Sequence, residues 1–117
     1  AQVAAAWDFR TRFRSHLSAL LGADGVLLMP SMPGVAPLRT TPENGLEDYR
    51  NRAIKMLCIA GLSGFPQLSM PLAQHAGAPL GLSLLGPAGS DRSLVALAQR
   101  LAGEGAERVD GLAGGSC

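Results

Sequence analysis

Residues 59–103 read IAGLSGFPQLSMPLAQHAGAPLGLSLLGPAGSDRSLVALAQRLAG, and this stretch decides the fold. Gly61 to Pro66 breaks an upstream helix, because two glycines and a proline within six residues cannot continue it. Gln67 to Leu72 alternates apolar and polar residues and predicts a strand, with Pro71 confining its far end to an edge. Gln74 to Ala78 predicts a turn, and Leu80 to Leu85 a second strand, so residues 67 to 85 form a hairpin. Ser90 is positioned to cap a final helix, with Asp91 at its positive end. Leu94, Leu97, Ala98 and Leu101 recur at helical spacing and define its buried side.

Working upstream, the helix that Gly61 ends begins near Thr41 or Leu46 and runs to about Ala60. Thr41 followed by Pro42 suits an N-cap and first-turn proline. Leu46, Tyr49, Ala53, Met56, Leu57 and Ala60 form one apolar stripe. Asn51, Ile54 and Cys58, at i, i+3 and i+7, form a second face. A helix with two such faces is buried on two sides, or lines a pocket with one of them. Before it lies a loop with Pro30, Pro33, Pro37 and Pro42, too proline-dense for helix or central strand. Val26 to Met29 is a continuous apolar run bounded by Gly25 and Pro30, which predicts a strand buried on both faces. Residues 3 to 21 predict an amphipathic helix, with Phe9, Phe13, Leu17 and Leu21 in line and Leu20 on the same side. Asp8 and Arg12 are spaced for an ion pair, and Gly22 stops the helix. The order is helix, strand, helix, strand, strand, helix: an α/β arrangement. Residues 1–102 form one structural segment, and 103–117 a Gly-rich, flexible tail.

The composition narrows the function. Of 117 residues, 47% are hydrophobic and 16% charged, against about 25% charged in ordinary soluble domains. So little charge implies either an unusually bland surface or a surface that is partly covered by something else. Net charge is +1, and Arg10, Arg12 and Arg14 are expected on a solvated helix face without the aromatic platforms of a nucleic-acid site. Cys58 and Cys117 make no metal pattern, and Cys58 reads as a small buried hydrophobe. No apolar run reaches the roughly 20 residues of a membrane span. No nucleic acid, membrane, metal or cofactor is expected, and the default location is the cytoplasm.

No nucleophile and base stand at a useful spacing. Gly61-Leu62-Ser63-Gly64 approaches a nucleophile elbow but lacks its spacing, and reads as a helix-terminating turn. His16 and His75 have no carboxylate placed for a triad, and Lys55, mid-helix, has no partner. Gly114-Gly115-Ser116 has no strand before it and reads as linker. No phosphate-binding glycine motif occurs.

Several motifs nevertheless occur in a telling order. The helix ends in Gly64-Phe65-Pro66; a strand ends in Ser69-Met70-Pro71-Leu72; Pro79-Leu80-Gly81 opens the next; Gly86-Pro87 precedes Asp91-Arg92-Ser93-Leu94 at the last helix. Upstream stand Ala23-Asp24-Gly25-Val26-Leu27-Leu28-Met29-Pro30-Ser31-Met32-Pro33 and Ala36-Pro37. Over residues 8 to 102 this resembles the C-terminal block of the amidase-signature family. Gly61 stands where many members have Asn, which makes the chain more similar to the indole-acetamide hydrolase branch.

The resemblance implies the C-terminal portion of a mixed β-sheet flanked by helices, an incomplete fragment of its fold. It implies amide hydrolysis by a Ser/cis-Ser/Lys triad that lies upstream, so that no catalytic residue is carried over and this chain alone is inactive. The implied partners are the missing N-terminal part and a small-molecule amide. In the family the helix before the G-x-P turn shows one face to the acyl part of the substrate. Counting back from Pro66 puts Asn51, Ile54 and Cys58 there, although that face could instead pack on a neighbouring helix. The alternative is a fragment of a non-catalytic, amidase-like binding or receptor protein.

Overall fold

The structure is a computed structural model; it describes residues 1–113, with side chains described as far as Glu104. Helix α1 (Gln2–Leu21) leads to strand β1 (Leu27–Pro30), helix α2 (Glu43–Ser63), the hairpin of β2 (Gln67–His75) and β3 (Ala78–Leu85), and helix α3 (Asp91–Ala113). The expected order of elements stands. The hairpin's second strand is central, giving the order β1-β3-β2 with both pairings antiparallel.

The alternation in β3 sorts the core into two layers. Leu85 meets Leu17, Leu21, Met29 and Phe65 on the side of α1 and α2. Leu84 meets Met70, Leu94 and Ala98 on the side of α3. The expected buried side of α3 is therefore correct, with Leu97 and Leu101 packed at its margin.

Local chemistry sets the element ends. Gly22 stops α1 at φ 62°, its N–H donating to Ser18 O at 2.9 Å. Helix α2 runs one turn past Ala60 and closes at Gly64, φ 72°, the left-handed geometry that glycine adopts without a Cβ penalty. Its start differs from expectation: Pro42, in extended geometry, holds the cap position and Thr41 supplies no side-chain cap. The hairpin turn is tighter than expected, two residues at Ala76 and Gly77, with φ 51° and 77°. Two positive φ values are what the twist-matched type I′ turn requires. His75 consequently ends a strand, opposite Ala78. Ser90 precedes α3, but its hydroxyl donates to Pro87 O at 2.7 Å while its carbonyl accepts from Leu94 N.

Three expectations about burial need correction. Strand β1 is not buried on both faces: Met29 is buried, yet Leu28 is 58% exposed. Helix α3 packs over β2 and β3, leaving that face of β1 bare. Leu20 is 68% exposed, because at 3.6 residues per turn it stands about 60° around the helix from Leu17 and about 100° from Leu21, and the core lies on the side of those two and Phe13. Cys58 is exposed, not buried. At the far end, α3 continues through residue 102 to Ala113, so the expected division there falls inside a helix. Residues 114–117, including the Gly114-Gly115-Ser116 linker and Cys117, lie outside the described residues.

The segment is a slab of 60 × 42 × 17 Å with a radius of gyration of 17.4 Å, where about 13 Å is typical of a self-contained domain near 100 residues. Its accessible surface is 8406 Å², against roughly 6,000 Å² for a folded monomer of this mass. The excess is apolar in part: Trp7, Phe9, Leu28 and Ile54 are all more than half exposed. This is the proportion of a layer within a larger α/β body, the fold class expected.

Candidate functional site

Asn51, Ile54 and Cys58 lie on the side of α2 opposite Ala53, the buried residue that faces the core. All three are exposed, and Ile54 keeps 58% of its surface. The Cys58 thiol donates weakly to Lys55 O, 3.6 Å away and one turn back. Each side chain points off the segment, so the face is free to meet polypeptide or ligand beyond it. None of three shallow hollows among the described residues, along α1, at the start of α3, and between residues 23–26 and α3, is lined by these residues.

A second polar constellation escaped sequence reasoning. The Ser31 hydroxyl lies 2.5 Å from that of Ser69 and 2.7 Å from that of Ser83. Ser69 and Ser83 are cross-strand partners on β2 and β3, and Ser31 follows β1. Gly81 makes room for them: a Cβ there would come within 2.7 Å of the Ser31 hydroxyl and 2.8 Å of that of Ser69. Ser31 N also donates to Gly81 O at 2.8 Å. The signal was present as serines at alternate strand positions, but only the register brings the three together.

Chemically the trio is a fastening, not a nucleophile. Among the described residues no hydrogen bond joins a serine hydroxyl to Lys55, His16 or His75. A serine needs such a base to attack an amide carbonyl. Ser63 of the near-miss elbow is fully buried, donating to Ile59 O at 2.8 Å and accepting from Phe65 N at 3.1 Å. It closes the helix, as the sequence predicts. Among the described residues no group of histidine, cysteine or acidic side chains could hold a metal ion.

The arginines have a use the sequence reading did not give them. Arg12 pairs with Asp8 at 3.1 Å in solvent, as expected. Arg10 and Arg14, however, donate from α1 to the last carbonyls of α2, Leu62 O and Ser63 O, each at 2.9 Å. The Arg14 guanidinium also lies over the Phe65 ring, 5.3 Å from its centre. A helix C-terminus has carbonyls without intrahelical partners, and cations there meet the negative end of its dipole. The expected solvated face is thus a clamp between two helices.

A sheet with helices on both faces, a helix closed by a G-x-P turn and a surface too large for its mass define a segment of an amidase-type α/β protein. The chain is 45% identical over 86 residues to Amidase 1 of Arabidopsis thaliana, a match covering 74% of this chain and 20% of that protein. A crystal structure of amidase superposes with a TM-score of 0.70 at 30% identity, covering 81% of this chain and 23% of that one. No protein-family model matches the chain. The chain belongs to the amidase-signature family and represents a C-terminal segment of its fold. It spans about a fifth of the length of the relatives it matches. One further relative corrects the expected location. Outer envelope protein 64, chloroplastic, of Arabidopsis thaliana is 38% identical over 92 residues, 79% of this chain and 16% of that protein. Likeness to an outer-envelope protein overturns the default placement in the cytoplasm.

Proposed function

We propose that this segment completes an amidase that hydrolyses the C–N bond of a small-molecule amide with a Ser/cis-Ser/Lys triad supplied by the polypeptide upstream. The observation that carries the reading is 45% identity to Amidase 1 across 74% of the chain. The segment contributes strands and packing, and the face of Asn51, Ile54 and Cys58 forms a wall of the acyl pocket. A mostly apolar wall with one amide group suits an uncharged acyl chain. Ile54, exposed here, then has a partner surface.

The similarity to Outer envelope protein 64 favours a second reading, a non-catalytic receptor or binding protein of amidase-like fold. No helix among the described residues is long and apolar enough to cross a membrane. Ammonia release from aryl and aliphatic amides, indole-3-acetamide among them, separates the two. The amidase reading predicts turnover by the full-length parent and none by residues 1–117 alone. A folded parent without turnover on any of them supports the receptor instead. Turnover by residues 1–117 alone, lost on changing one of their serines, contradicts the upstream triad.

A further inference from the structure

Helix α2 is held differently at its two ends. Its last two turns are fixed twice over. Ile59 and Ala60 pack on the cluster around Leu85, and Arg10 and Arg14 donate to Leu62 O and Ser63 O at 2.9 Å. Its first half has little such support: of residues 43–52, all but Gly45 and Tyr49 are exposed. Arg52 pairs with Asp48 within the helix, and the Asn44 side chain accepts from the N–H of Gly45. Among the described residues, one side-chain hydrogen bond leaves this half for another part of the fold. The Tyr49 hydroxyl donates to Gly34 O at 3.1 Å.

The acceptor lies in a loop that is itself fastened. Pro33, Pro37 and Pro42 each fix a backbone angle along it. Ser31, at its start, donates its N–H to Gly81 O at 2.8 Å, and its hydroxyl lies 2.7 Å from that of Ser83. Thr41 N donates to Leu38 O at 3.0 Å near its end. The loop is therefore a strut that starts at the serine trio on the sheet and meets α2 at Tyr49. At about 100° per residue, Tyr49 stands about 140° around the helix from Ile54, about 160° from Asn51 and about 180° from Cys58. The strut holds the helix from behind while that face looks outward.

We propose that Tyr49 is a positioning residue: its hydroxyl ties the otherwise free half of α2 to Gly34 and so sets where Asn51 and Ile54 stand. This deepens, and rests on, the reading that those residues form a wall of the acyl pocket.

The full-length parent carrying Tyr49→Phe, which keeps the ring and loses the hydroxyl, tests it by amide hydrogen exchange and by kinetics. Peptides covering residues 46–54 are expected to exchange at least about threefold faster than in the unaltered parent, and those covering 59–64 at the same rate, because opening is local to the part released. KM for an amide with a bulky acyl group should rise about two- to tenfold with kcat nearly unchanged, the mark of lost binding rather than lost chemistry. In an Ile54→Ala background the same substitution should leave the KM ratio of bulky to small amides nearly unchanged, because the side chain through which Tyr49 acts is gone. Unchanged exchange over 46–54 overturns the proposal, and so does an unchanged KM in a parent that turns amides over. Faster exchange along the whole helix, or loss of the fold, makes Tyr49 a general support and overturns it too. So does an undiminished effect in the Ile54→Ala background. A parent that releases no ammonia abandons the amidase reading instead; faster exchange confined to 46–54 then still upholds the tie, and its absence still overturns it.

Discussion

At the scale of single residues, the segment is held by small side chains. Gly81 is the clearest case, since its missing Cβ is what lets Ser31 and Ser69 approach across the strands. Gly81→Ala should lower the stability of the full-length parent by roughly 1–3 kcal/mol, the usual cost of overpacking. Denaturant midpoints measure it, and an unchanged midpoint means that the trio rearranges freely. Ile54 behaves oppositely. It is exposed and makes no core contact, so Ile54→Trp leaves the segment's own packing intact. In the parent it should shift kcat/KM towards smaller amides with the unfolding midpoint nearly unchanged. A stability loss of about 1–3 kcal/mol with unaltered preference shows instead that the face packs on protein. The Ser63-Gly64 turn was legible because glycine and serine have strong local preferences at helix ends. The serine trio was not, since no local rule pairs residues 31, 69 and 83 before the register is known.

At the scale of elements, every helix and strand was visible in the pattern of apolar residues, and most ends moved by a few residues, while α3 runs on past residue 102 to Ala113. The errors lie where an element meets a neighbour. Arg10, Arg12 and Arg14 look alike in sequence, yet two of them reach the C-terminus of α2 across 49 and 52 residues of chain. That difference makes a test. Arg14→Ala removes a charged hydrogen bond to Ser63 O and the contact with Phe65, and should cost the parent about 1.5–3 kcal/mol. Arg12→Ala breaks an exposed i,i+4 pair and should cost only a few tenths of a kcal/mol. Urea unfolding of the two variants compares them directly. Equal losses would mean that the clamp contributes nothing beyond a surface ion pair. Strand β1 carries the same lesson: a continuous apolar run signals two-sided burial, but only half of its cover lies within this chain.

At the scale of the whole molecule, the shortage of charge allowed a bland surface or a covered one, and the thin, extended slab favours the second. Two small core clusters, one on each sheet face, must offset the ordering of more than a hundred residues, and a large share of the apolar surface stays in water. Such a layer is expected to fold cooperatively only when the rest of the body covers it. The most direct measurement is equilibrium unfolding of residues 1–117 alone, followed by circular dichroism and tryptophan fluorescence with a hydrophobic dye. A broad, non-coincident transition, strong dye binding in buffer and concentration-dependent association are expected. A single sharp transition, coincident by both probes and without dye binding, would show that the chain is a self-sufficient domain and contradict its assignment as one layer of a larger amidase body.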